Sequence, residues 1–189
     1  IINQLIPGGK LHEIGNFNEG SRDVHNLLDR FPPHIQFSTE EESHGEAGLR
    51  AMGLPIGAQF VCLMVRDSAY LDSHMPNDWN YHNYRDSDIQ NYVLAAEELA
   101  ERGYFVIRMG AKVHAAINSD HPKVLDYSIN GMRSDFMDIY LGAKCLFAIS
   151  TGTGWDEIPG MQRRPIVYVN LVSLGQSHTF RAEFLTITK

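Results

Sequence analysis

Five small residues, Ser150-Thr-Gly-Thr-Gly154, sit between two apolar runs and restrict the fold more than any other stretch of the chain. The run Leu146 to Ile149 stops abruptly before them. Pro165-Ile-Val-Tyr-Val-Asn170 follows after a gap the size of a short helix. The pattern reads as strand, tight turn, short helix, strand. Elements in this alternation bury their apolar faces as parallel strands joined by helices. In an open sheet of that kind the turn lies at the carboxyl end of its strand, where ligands bind. Backbone N–H groups and hydroxyls at a helix N-terminus suit an anion, typically a phosphate. The stretch is neither a Walker A loop, which needs a lysine after the glycine, nor GxGxxG. An ordinary strand-to-helix turn, with glycines supplying positive φ, would leave the same residues.

The rest of the chain continues the alternation. Thr39-Glu-Glu-Glu42 has the form of a capping box and predicts a helix to Met52, with Gly53 as its stop. Phe60-Val-Cys-Leu-Met-Val65 is continuously apolar, as a strand buried on both faces requires. Asp88 to Arg102 carries Ile89, Tyr92, Val93, Ala96 and Leu99 at helical spacing. Tyr104 to Ile107 predicts the next strand, ending at Arg108-Met-Gly110. Val124 to Tyr127 predicts a short strand, and Asp135 to Ala143 a helix. Ser21 to Leu28 suggests a short helix, residues 68–86 a long polar and aromatic loop, and the chain from Asn170 on an irregular tail. The expected fold is α/β, a Rossmann-like open parallel sheet with flanking helices. Residues 1–54 read as a lead-in and residues 55–189 as the ligand-binding domain.

Composition narrows the function classes. A hydrophobic fraction of 43% over 189 residues supports one substantial core. No apolar run approaches the ~20 residues of a membrane span. Ile1 to Gly9 lacks the basic and apolar regions of a signal peptide. A net charge of -7 argues against a nucleic-acid partner, which needs a broad basic surface. Cys62 and Cys145 fall in apolar runs and read as buried thiols of a reducing compartment.

Several residues could carry chemistry. Arg66 and Arg108 each follow an apolar run, so parallel strands would bring both to one edge of the sheet. Paired guanidinium groups suit a diphosphate through bidentate, charge-assisted hydrogen bonds. Capping a sheet edge, or pairing of Arg66 with Asp67, is the alternative. Ser150, Thr151, Gly152, Thr153 and Gly154 would hold phosphate through amides and hydroxyls. Asp135 or Ser134 reads as a helix cap, and Asp156 and Glu157 as first-turn carboxylates. His74, Asp78 and His82 have metal-ligand spacing only on a continuous helix, which Pro76 argues against. Tyr70, Trp79, Tyr81 and Tyr84 could form a lid that stacks on a ligand, or could anchor the loop to the core.

Five segments in order strengthen the reading: Val65-Arg-Asp-Ser-Ala-Tyr-Leu71, Tyr84-Arg-Asp-Ser-Asp-Ile89, Tyr104-Phe-Val-Ile-Arg-Met-Gly110, Ser134-Asp-Phe-Met-Asp-Ile-Tyr140 and Ser150-Thr-Gly-Thr-Gly154. Together they resemble a bacterial glycosyltransferase family of surface-polysaccharide synthesis. More remotely, residues 55 to 175 are similar to the C-terminal, donor-binding half of GT-B glycosyltransferases. The resemblance implies a nucleotide-sugar donor, a glycan or lipid-linked glycan acceptor, no cofactor and no metal. It also implies a cytoplasmic setting at the inner face of the plasma membrane, reached through a partner. Arg66 and Arg108 would then neutralise the leaving diphosphate. Asp67 would be the general base, or else an ion-pair partner of Arg66. Asp138 would meet a ribose hydroxyl, and Asp156 the donor sugar. A nucleotide-sugar epimerase or hydrolase on the same fold, or a non-catalytic binding module, are the competing readings.

Overall fold

The apolar runs of the sequence lie side by side in one sheet. A computed structural model describes residues 5–9, 23, 26–75, 78–172 and 181–189. Six strands are present among them: β1 (Phe60–Met64), β2 (Phe105–Met109), β3 (Val124–Asp126), β4 (Ala148–Ser150), β5 (Ile166–Leu171) and β6 (Phe184–Thr188). Every pairing is parallel and the order is β3-β2-β1-β4-β5-β6. This is the expected Rossmann-like α/β sheet, and its strand order reverses between β1 and β4.

Alternate residues of each strand point to opposite faces, so the sheet carries two cores. On one face Phe60, Cys62, Ile107, Met109, Ala148 and Ile166 pack against α5 (Asp135–Lys144), through Met137, Tyr140 and Leu141. On the other, Leu63, Val65, Val106 and Val124 pack against Ile89, Tyr92, Ala96 and Ala100. Ala96 and Ala100 belong to α4 (Val93–Glu101); Ile89 and Tyr92 belong to a 3-10 turn, Ile89–Tyr92, that precedes it. The helix expected from residue 88 therefore begins as 3-10, with the Asp88 carboxylate accepting from the Gln90 amide at 2.9 Å.

The remaining helices are α1 (Leu27–Arg30), α2 (Thr39–Ala51), α3 (Ala69–His74) and α6 (Glu157–Met161). The capping box of α2 is formed by Ser38 and Glu41. The Ser38 amide donates to Glu41 Oε2 at 2.7 Å, and the Glu41 amide to Ser38 Oγ at 3.3 Å. Met52 and Leu54 are buried in the main core, with Phe37 and Leu49 packed against it. The core thus extends across the boundary that the sequence suggests at residue 54. No helix among the described residues is long and apolar enough to cross a membrane.

Three segments differ from the sequence reading. The loop expected over 68–86 contains α3 and a 3-10 helix, Asn80–Arg85, while residues 76 and 77 lie outside the described residues. The tail expected to be irregular carries β6, and residues 173–180 lie outside the described residues. Of the helix suggested over 21–28, only Leu27 and Leu28 are helical; residues 21, 22, 24 and 25 lie outside the described residues.

Helices α2 and α5 approach closely because two glycines face the second helix. A methyl group on Gly45 would overlap the ring of Tyr140, and one on Gly48 would lie 2.5 Å from Met137 Sδ. The Tyr140 ring is held by Phe37 and Phe136, and its hydroxyl donates to Glu42 at 3.2 Å. The Met137 side chain is flexible. Alanine gains about 1 kcal/mol of helix propensity over glycine, whereas overpacking costs about 1–3 kcal/mol. Urea denaturation should show Gly45→Ala less stable than the parent. Gly48→Ala should fall within about 0.5 kcal/mol of it, because a thioether can move aside.

Candidate functional site

The reversal of strand order parts the loops that follow β1 and β4, and two hydrogen bonds hold the parted loops in register. The Thr151 amide donates to the Met64 carbonyl at 3.2 Å, and the Arg66 amide to Thr151 Oγ1 at 2.8 Å. Above this junction, at the carboxyl edge of the sheet, lies a cleft of about 540 Å³. Its walls come from the β1–α3 loop, the 3-10 helix Asn80–Arg85, the loop after β2, α5 and the turn after β4.

The small-residue turn is divided in its use. Ser150 and Thr151 are buried, and their hydroxyls serve the turn itself: Ser150 Oγ accepts from the Gly152 amide at 3.1 Å. Gly152, Thr153 and Gly154 line the cleft. Gly152 has φ +86°, and a methyl group there would lie 2.8 Å from Leu171 Cδ1, so both backbone and space demand glycine. Gly154 has neither restriction. A 3-10 turn, Gly154–Asp156, leads into α6. Asp156 caps that turn. It accepts from the Thr153 amide at 2.7 Å and from Thr153 Oγ1 at 3.2 Å. Asp156 is buried and absent from the cleft walls, so it serves the turn rather than a sugar. Burial pushes its carboxyl up to about 6, against the opposing hydrogen bonds from Ser150 and Thr153. In this first turn the amides of Gly154 and Trp155 have no partner among the described residues.

The two arginines read from the sequence part company. Arg66 lines the cleft, forms an ion pair with Asp86, and donates from Nη1 to the His82 carbonyl at 3.3 Å. The Asp86 carboxyl is raised, chiefly by burial, with Arg66 opposing the shift. Arg108 lies within β2, one residue short of its end, and is fully buried outside the cleft. It pairs with Asp126 at 3.3 Å, on the neighbouring strand and in register, and with Ser128 Oγ. Asp126 also accepts from the Ile117 amide at 2.9 Å, so this pair fastens the loop that follows β2. Arg85 and Lys112 line the cleft instead. Arg85 donates to the Gly152 carbonyl at 3.0 Å, and neither cation has a carboxylate partner among the described residues. Sequence reasoning missed both because neither follows an apolar run: Arg85 ends the 3-10 helix and Lys112 sits in the loop after β2. The segment Tyr84-Arg-Asp-Ser-Asp-Ile89 was the available signal for Arg85.

The carboxylates are largely engaged. Asp67 Oδ1 accepts from the Ala69 amide and Oδ2 from the His114 amide, both at 3.0 Å, which ties the β1 loop to the β2 loop. Asp138 reaches the cleft from α5 and accepts from Arg133 at 2.7 Å. Its carboxyl is raised, chiefly by burial. The Asp138 carbonyl accepts from Trp155 Nε1 at 3.1 Å. Among the aromatics, Trp79 and His82 stack at 5.6 Å and 16°, with Tyr81 against both. Tyr70 stacks on His74 at 4.3 Å within α3, apart from His82 in its own turn.

No protein-family model matches this chain, and no curated protein does. Among solved structures it is similar to the ADP-heptose LPS heptosyltransferase II of E. coli, with a TM-score of 0.52 and 16% identity. The match covers 82% of this chain and 45% of that one. The likeness is one of fold, a Rossmann-like α/β sheet, and the chain spans less than half the length of the structure it matches.

The buried Asp156 sets a pH dependence. Its carboxyl titrates near 6 in the folded state and near 3.9 unfolded, so the native state holds more protons between these values. Stability therefore falls as pH rises through about 4 to 6, by on the order of 3 kcal/mol at completion. Asp156→Asn removes this ionisation and keeps an oxygen to accept from Thr153. Urea midpoints should show the variant gaining on the parent from pH 4.5 to 7.5. A difference that stays constant across that range contradicts the assignment.

Proposed function

We propose that the chain is the donor-binding half of a GT-B glycosyltransferase. It would move a sugar from a nucleotide-sugar to a hydroxyl of a surface glycan or lipid-linked glycan. The observation that carries this reading is the meeting, at the sheet's reversal point, of the small-residue turn with Arg66, Arg85 and Lys112. Three cations gathered on one cleft of a chain with net charge -7 point to an anionic ligand. Arg66 is committed to Asp86, so Arg85 and Lys112 are the cations free to meet a diphosphate. The Gly154 and Trp155 amides add neutral donors beside them.

In glycosyl transfer the leaving nucleoside diphosphate gathers negative charge as the glycosidic bond breaks. Fixed cations stabilise that charge with little reorganisation, so they can do work that other enzymes give to a metal. The Asp138 carboxylate is suited to a ribose hydroxyl. The acceptor's proton needs another group. Both oxygens of Asp67 are held by backbone amides, which favours a base outside the described residues and keeps a non-catalytic binding module as the second reading. The resemblance to surface-polysaccharide enzymes supports a place at the cytoplasmic face of a membrane, reached through a partner.

Thermal unfolding against UDP, GDP, ADP, CDP, CMP and TDP tests the donor site. A ligand at 100 times its Kd adds about 2.7 kcal/mol. One nucleoside diphosphate should raise the Tm, and do so equally in EDTA. Arg85→Ala should weaken that binding roughly tenfold or more, the loss of a charged hydrogen bond, with the Tm of the free protein little changed. No shift with any nucleotide rules the reading out. Binding without sugar transfer, assayed with the corresponding nucleotide-sugar and glycan acceptors, favours the binding module.

A further inference from the structure

Two residues of the cleft wall carry a buried side-chain nitrogen with no hydrogen-bond partner among the described residues: Trp79 at Nε1 and His82 at Nδ1. The other buried side-chain atoms in that condition belong to Arg108, Arg133 and Arg181, none of which lines the cleft. A buried polar group left unpaired costs about 1–3 kcal/mol. Two of them three residues apart, on side chains that line one cavity, call for a ligand that satisfies both.

The geometry limits what that ligand offers. Trp79, Tyr81 and His82 pack their faces on one another, with Tyr81 and His82 centroids 4.1 Å apart. The ring faces are thus partly taken up within the cluster, and the two unpartnered nitrogens remain for a ligand. The indole N–H donates only, and an imidazole nitrogen donates or accepts according to its tautomer. Both groups are uncharged in the neutral ring and suit hydroxyls better than a bare phosphate, whose charge the nearby cations match. The cluster adjoins those cations, since the His82 carbonyl accepts from Arg66 at 3.3 Å and Arg85 follows in the same 3-10 helix. Trp79, His82 and Arg85 follow one another at intervals of three along this 3-10 turn and its N-cap, the spacing that puts side chains on one face. Trp155 and Asp138, joined by their own hydrogen bond, come from different elements and suit the nucleoside end.

We propose that Trp79 and His82 recognise the sugar of the donor, through hydrogen bonds from Trp79 Nε1 and with His82 Nδ1 to its hydroxyls. This rests on the donor-site reading above.

The test compares a nucleoside diphosphate with its own nucleotide-sugar by calorimetry: UDP with UDP-glucose, ADP with ADP-glucose and GDP with GDP-mannose. The pair that the wild type binds is then used. Trp79→Phe keeps an aromatic ring and removes the N–H donor together with part of the ring. It should weaken nucleotide-sugar binding about five- to tenfold and leave the diphosphate within about twofold. His82→Phe should behave alike, and carries the test alone if the Trp79 variant does not fold. An equal loss for both ligands, or no loss for either, overturns the proposal. So does a wild type that gains nothing from the sugar. A wild type that binds none of the pairs overturns the donor-site reading itself, which separates the two failures.

Discussion

Two hydrogen bonds from the turn after β4 to the end of β1 and its loop hold the site together: Thr151 amide to Met64 carbonyl, and Arg66 amide to Thr151 hydroxyl. Adjacent parallel strands whose connections run in opposite directions leave a crevice at their carboxyl ends. Without a cross-link the two loops would be free to splay. Thr151 supplies that link with both its backbone and its side chain, and it is buried for that reason. Two of the cleft's walls, the aromatic 3-10 helix with Arg85 and the small-residue turn, are thereby brought together. Arg85 closes the same junction from above through the Gly152 carbonyl.

Acidic residues outnumber basic ones in this chain, yet Arg85 and Lys112 line the cleft with no carboxylate partner among the described residues. The reason is that the acidic groups around it are used as fasteners. Asp67 ties the β1 loop to the β2 loop, Asp86 holds Arg66, Asp126 holds Arg108 and the Ile117 amide, and Asp156 caps the turn before α6. A carboxylate that accepts backbone N–H groups gives local order and is held in place by them, and none of these four forms an ion pair with Arg85 or Lys112. Arg85 and Lys112 are thus left to a ligand. The buried Asp156 is the costly member of this set, since its charge is disfavoured where it sits.

Much of the fold was legible because the apolar runs are short, continuous and regularly spaced, as in Phe60 to Met64 and Ile166 to Val169. The position of the small-residue turn at a strand end was legible for the same reason. The site was less so. Arg108 looks from the sequence like a residue just past a strand, but the strand runs on through it, and its partner Asp126 lies on another strand 18 residues away. No local pattern reports a pairing of that kind. Arg85 and Lys112 sit where periodicity is silent, and only the folding of two loops over one edge brings them together. β6 is a different case: Leu185-Thr-Ile-Thr188 alternates apolar and polar residues, a strand signal that the irregular residues before it obscured.

A crystal structure of the chain with the nucleoside diphosphate that stabilises it tests the central claim most directly. The account predicts the diphosphate over the reversal point, bonded to the Gly154 or Trp155 amide and to the Arg85 guanidinium, with Arg66 still paired to Asp86. Density for the diphosphate away from the β1–β4 junction, with Arg85 still on the Gly152 carbonyl and no phosphate contact, would contradict it.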